Sequence, residues 1–326
     1  MKSRRAFWTV FVYFGILAFI VAFGIYTSRY MIHRPWTARD RAAAAVAGGK
    51  VYVLGGTDRE GNVLDDVLRI DPKSWKASVF SRLPSPRYGI AVVGLNDAVF
   101  CLGGSGERDY LDQIVRIDPR TKRAQLVGAL PSPRAFGGAA AVAGKIYYIG
   151  GWDGKERLDE IVEIDPATGA TRVIGHLPSP REFLTVTAAE GKLYAIGGED
   201  KSGELSDEIV EIDPTTGNIL RVGHLPSPRS RSAAAGLGNA IYVFGGWAGG
   251  TLGEIVKLDL SSPNISATVI GELPRKQADC GIATVDGMIY LIGGSDPAFP
   301  KQIGILKFDP RTRAVSYVKL RYFLWW

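Results

Sequence analysis

LPSPR occurs four times, at residues 83–87, 130–134, 177–181 and 225–229, and a fifth copy at 273–277 reads LPRKQ. In each copy the first glycine of a Gly-Gly doublet stands sixteen residues beyond the last position of the motif. The doublets fall at 55–56, 103–104, 150–151, 197–198, 245–246 and 293–294, with successive spacings of 48, 47, 47, 48 and 48. The same offset picks out Arg39 at the head of the first unit and Gln277 at the head of the sixth. The chain therefore holds six copies of one unit, the opening of the first having diverged to Pro35-Trp36-Thr37-Ala38-Arg39.

Each unit reads as four short strands. An Ala/Gly/Val-rich stretch follows the arginine and predicts strand a. An apolar-aromatic run such as KVYVL, KIYYI or MIYLI leads into the glycines and predicts strand b. A third landmark, RIDP, EIDP, KLDL or KFDP, closes strand c, and strand d ends at Leu-Pro. Glycine pairs and Asp-Pro punctuate the strands, and a proline inside LPSPR belongs to a connection because it cannot donate to a ladder. Six four-stranded antiparallel units predict an all-β, six-bladed propeller with the small residues of strand a nearest the crowded axis.

The doublet after an apolar-aromatic strand, at this period, resembles the kelch repeat, and the resemblance covers residues 36–320. One departure stands out. Kelch repeats usually carry a tryptophan four residues after the aspartate; here only Trp75 does, and Lys122, Gly169, Gly217 and Arg313 stand elsewhere.

Composition narrows the classes. A formal net charge of +6 is compatible with an anionic partner or a membrane surface. There is no Lys/Arg-rich run, so nucleic acid is not an expected partner. Cys101 and Cys280 have no ligand-like spacing and read as small apolar core residues. No metal and no cofactor is expected.

Residues 6–27 carry no charge. As a helix they rise about 33 Å, enough to cross a bilayer. The run is too long for the hydrophobic region of a cleaved signal, so it predicts a signal anchor. Lys2, Arg4 and Arg5 precede it, and Arg29 and Arg34 follow, which predicts a cytoplasmic N-terminus and a propeller on the extracytoplasmic side, periplasmic in a bacterium. The plan is a basic segment at 1–5, a transmembrane helix at 6–27, a linker at 28–37, the propeller at 38–320 and an aromatic tail at 321–326. Tyr30, Trp36, Trp325 and Trp326 are candidates for the membrane interface. Ring closure is expected by packing alone, with both chain ends on the face that carries the strand d to strand a connections.

That face also carries the loops after Gly-Gly, so it holds the variation. The repeated Arg39, Arg87, Arg134, Arg181 and Arg229 have two readings: ties between blades, pairing with acids such as Asp65, Asp112, Asp159 or Asp207, or a ring of guanidinium groups around the mouth of the channel. In kelch adaptors that bind acidic peptides, arginines near this position are similar in role. Residues that break the repeat are stronger candidates for binding: Arg41 beside Asp40, Tyr88, Phe136, Phe183, Arg231 and Asp279 just after the arginine position, and Trp152 and Trp247 after the glycines.

The sequence leans away from an enzyme. His176 and His224 occupy equivalent positions and read as repeat decoration, and no zinc-ligand set or nucleophile elbow is present. The six-bladed, extracytoplasmic sialic-acid epimerases keep one alternative open, with Glu182 and Arg181 or Arg231 in proton transfer on an anionic sugar. The primary reading is a membrane-anchored binding or scaffolding propeller, an accessory subunit of a membrane complex with a membrane-embedded protein partner.

Overall fold

The computed structural model describes residues 39–58, 60–295 and 304–322. The expected anchor at 6–27, the linker at 28–37 with Tyr30 and Trp36, and Trp325 and Trp326 lie outside these residues. Among the described residues no helix is long and apolar enough to cross a membrane.

Six sheets follow one another, each built on four antiparallel strands in chain order. In the first blade these are β1 (Ala43–Ala47), β2 (Lys50–Leu54), β3 (Asp66–Asp71) and β4 (Lys76–Arg82). Burial follows the sequence pattern. β2 has both faces covered by neighbouring blades, so its apolar-aromatic run is continuous. β3 alternates between buried and half-buried, and β4 is mostly exposed. The core lies between blades rather than within them. Tyr52, Leu54 and Val67 of the first blade pack with Val99, Cys101 and Val115 of the second. Cys101 is thus the core residue its sequence context predicts.

The innermost strands crowd the axis. A Cβ on Gly94 would lie 1.9 Å from the Val46 carbonyl oxygen, and one on Gly236 would lie 2.1 Å from that of Ala188. Small residues in strand a are therefore a steric requirement. The b–c loops and the d–a connections share one end of the ring, as the antiparallel order dictates.

The closure differs from expectation. Arg321 and Tyr322 form a short strand that pairs in parallel with Lys76 and Ala77, so the first blade has five strands. Residues 321–322 thus lie along the outer strand of the first blade, beside its c–d turn, and closure is more than packing. Trp75, in that turn, places its ring 4.9 Å from Tyr290 of the sixth blade. The one retained repeat tryptophan thus stands at the seam, where no strand is shared between the first and sixth sheets along their full length. The Gly294 amide donates to the Arg39 carbonyl at 3.3 Å across the same seam.

Trp75→Ala is expected to lower stability by about 1–2 kcal/mol through the lost ring pair and buried area. Lys122→Ala, the same position in the second blade, is expected to change it by less than about 0.5 kcal/mol. Chemical denaturation of the two variants checks the difference.

Candidate functional site

The five repeated arginines are 0–1% exposed. They do not form a ring of free guanidinium groups at the mouth. Each has its backbone on one blade and its side chain on the next. The Arg181 amide donates to the Leu158 carbonyl and its own carbonyl accepts from Gly151, both of the third blade. Its guanidinium reaches the Gly197 carbonyl and pairs with Glu208, both of the fourth. Arg39 makes the same side-chain contacts, to the Gly55 carbonyl and bidentate to Asp66 at 2.9 and 3.1 Å. Arg134 pairs with Glu160 at 2.7 Å, Arg229 pairs with Glu254, and Arg87 donates to Gln113 at 2.6 Å. Burial lowers the pKa of Arg87 and Arg181, yet a guanidinium stays charged. Oxygen acceptors on the partner residue and on the LPSPR serine (Ser85, Ser132, Ser227) therefore surround it.

Inter-blade ties were one of the two sequence readings, but the acids differ by one position. Asp65, Asp159 and Asp207 point the other way, to Arg82, His176 and His224. Successive side chains of a strand alternate between faces, so the next residue meets the arginine. The sixth unit completes the logic. Gly304 stands where the acid would be, and Arg275 replaces the motif serine. No side-chain oxygen from either position is available there, and the buried head residue is the neutral Gln277.

Two residues beyond the arginine position the backbone of every unit turns left-handed. Arg41, Gly89, Phe136, Phe183, Arg231 and Asp279 have φ between 52° and 60°. Amides link them around the axis: Phe136 to the Gly89 carbonyl at 2.9 Å, Phe183 to Phe136 at 2.7 Å, Arg231 to Phe183 at 2.9 Å and Asp279 to Arg231 at 3.0 Å. Glycine adopts this conformation most readily, yet five of the six positions hold a side chain. At the sixth, a Cβ on Gly89 would lie 2.4 Å from the Phe136 ring, and Tyr88 supplies the aromatic group instead.

Those side chains close a belt around the mouth, each touching the next. Arg41 lies over Tyr88 with its guanidinium carbon 5.8 Å from the ring centre. Tyr88 and Phe136 are 5.9 Å apart, and Phe136 and Phe183 are 4.6 Å apart. Arg231 stacks on Phe183 at 4.2 Å. Asp279 completes the belt, 3.7 Å from Arg231 and 3.9 Å from Arg41. The belt opens into a cavity of about 170 Å³. Below it the channel continues for about 300 Å³ between Ala, Val, Gly, Thr and Ile residues.

A second tier of charge stands behind the belt. Arg157 pairs with Glu182 at 2.8 Å and lies 3.6 Å from Glu199. Glu199 also accepts from the Ser230 hydroxyl at 2.9 Å. Burial raises the pKa of Glu182, and it pushes Asp279 up to about 6, with the neighbouring Asp40 adding to the rise. Arg181 turns away to Glu208 and does not join Glu182, whereas the Arg231 charge acts on Glu182. Trp152 backs Arg157 at 5.7 Å, whereas Trp247 is 39% exposed on the loops outside the belt. Glu199 and Arg157 were not singled out in the sequence. Glu199 occupies the same place after Gly-Gly as the two tryptophans, which was the available signal.

A family model described as the KLHDC2/KLHL20/DRC7 Kelch-repeats domain matches residues 27–171 and 169–320. No curated protein matches the chain. A solved structure described as "Structure of YjhT" is similar with a TM-score of 0.75 and 16% identity, over 87% of this chain and 98% of that one. At that identity the likeness is one of fold.

Gln277→Arg is expected to destabilise the propeller by about 3 kcal/mol, since it buries a cation without a counter-ion. Among the described residues a Cβ at Gly304 meets nothing within 4 Å, so Gly304→Glu can be added without a clash with them. The double variant is expected to recover part of the loss in a denaturation double-mutant cycle.

Proposed function

Because the chain belongs to the kelch-repeat family, we propose that it is a binding propeller whose partner docks on the face carrying the belt. Family membership fixes the fold, and the function is argued from the site. The observation that carries the reading is the belt itself. An aromatic arc of Tyr88, Phe136 and Phe183 faces a polar arc of Arg41, Asp279 and Arg231. Aromatic and arginine side chains held rigid at a concave mouth are the types that dominate binding energy. The two arginines each keep a buried Nε with no hydrogen-bond partner. Their contacts with Asp279, at 3.7–3.9 Å, and that of Arg231 with Glu199, at 3.9 Å, are longer than a charge-assisted hydrogen bond. They are positioned and left with donors to spare, which suits an acidic side chain or a terminal carboxylate of a partner protein.

The proposal includes the membrane. Residues 6–27 would anchor the chain with its N-terminus in the cytoplasm, and the partner would be a membrane-embedded protein of the same complex. An anionic sugar such as a sialic acid is the second reading, favoured by the small volume of the mouth. The separation of Arg181 from Glu182 leaves Glu182 with Arg231 as the pairing for that reading.

Arg41→Gln and Arg231→Gln are each expected to weaken partner binding at least about tenfold, the loss of a hydrogen bond to a charged group. Native electrophoresis of detergent-extracted membranes, with mass spectrometry of the band, reads the outcome. Wild-type protein is expected in a large complex and the double variant alone. Equal migration of the two contradicts the reading.

A further inference from the structure

Asp279 occupies an unusual place. It is the only acid among the six belt residues, and it sits between the two arginines that the rest of the belt leaves accessible. Its backbone is left-handed with φ 55°, and its amide is tied to the Arg231 carbonyl, so the residue is held at the mouth. Its Oδ2 faces Arg231 Nη1 and Arg41 Nε together. That is the position in which an incoming anion would bridge the same two guanidinium groups.

We propose that Asp279 is a built-in competitor for the anionic ligand, displaced from its two arginines when it takes up a proton. This rests on the reading of the mouth as an anion site. In the free protein a charged Asp279 engages Arg41 and Arg231 and repels a second anion. An anion bridging the arginines leaves the carboxylate buried without its counter-ions. The carboxylate then binds a proton from solvent, and the net charge facing the ligand rises by one.

The charged and titratable groups around Asp279 set the direction. Arg41 and Asp40 face it from the connection into the first blade, Arg231 from the fifth, and Glu199 from the fourth. Cys280 follows it in its own connection. Burial and Asp40 raise the Asp279 pKa to about 6 before any ligand binds, while Arg231 and Arg41 oppose the rise. A bound anion removes that opposition, so the pKa in the complex is higher still. Affinity is therefore full below about pH 6 and falls as pH rises through and above that value. Cys280 stays protonated across this range, its thiol pushed up by burial. Glu182 also has a raised pKa, but it pairs with Arg157 behind the belt and serves as a control.

The test uses full-length protein in detergent and inorganic sulfate, which does not titrate between pH 5.5 and 7.5. Calorimetry in buffers of different ionisation enthalpy counts the protons taken up. Wild-type protein is expected to bind sulfate at least about tenfold more weakly at pH 7.5 than at pH 5.5, and to take up close to one proton per sulfate near neutral pH. Asp279→Asn, with a residue that tolerates the left-handed conformation, is expected to bind with little pH dependence and more tightly than wild type at pH 7.5. Glu182→Gln is expected to keep the wild-type dependence. Sulfate binding by wild type with no proton uptake overturns the competitor role and leaves the anion site standing. Weaker binding by Asp279→Asn at pH 7.5 overturns it as well. No sulfate binding by either protein at any pH overturns the anion site itself.

Discussion

Five guanidinium groups are buried at the joints of this ring, and the architecture turns on how each is satisfied. The arginine backbone belongs to one blade, where its carbonyl accepts from the second glycine of the doublet, as Arg134 does from Gly104. Its side chain belongs to the next blade, where it reaches an oxygen at the start of strand c and, for Arg39, Arg87, Arg181 and Arg229, the first glycine's carbonyl. The first glycine needs a left-handed backbone and has no room for a side chain; a Cβ on Gly103 would lie 2.3 Å from the Arg134 carbonyl. A buried cation is costly unless paired and hydrogen-bonded, so motif, doublet and acid are bound together. That is why sixteen residues separate arginine and glycine in every unit, and why the sixth unit loses cation, serine and acid at once.

The same connection serves frame and site with residues two positions apart. The arginine is sealed inside and holds the blades. The left-handed residue beyond it is delivered to the mouth by a chain of backbone hydrogen bonds that runs from Arg41 to Asp279 and does not depend on its side chain. Six positions can thus vary in chemistry at fixed geometry, and here they are two cations, two aromatics, one acid and one glycine. Loops on a rigid scaffold are where binding groups concentrate, and this belt is such a case.

The period, the strands and the number of blades were legible in the sequence because glycine doublets and alternating burial are local signals. The role of the arginines was only half legible. A repeated arginine reads equally well as a tie or as a ligand-binding ring until its burial is known. Its partner was missed by one residue because strand alternation, not proximity in sequence, decides which of Asp65 and Asp66 points inward. Among the belt residues, Arg41, Tyr88, Phe136, Phe183, Arg231 and Asp279 stood out by breaking the repeat. Glu199 and Arg157 did not, since their contacts cross blades. The tail followed the same rule: Arg321 and Tyr322 carry no pairing signal, and only the ring brings them to Lys76 and Ala77.

The central claim is that a partner engages the belt face. Hydrogen exchange of the full-length protein, in its native complex and alone, tests it most directly. The account predicts added protection in the complex at residues 88–89, 135–137, 182–184, 230–232 and 278–281, with the c–d turns at the opposite end unchanged. Protection confined to the outer strands or to the c–d turns would contradict it.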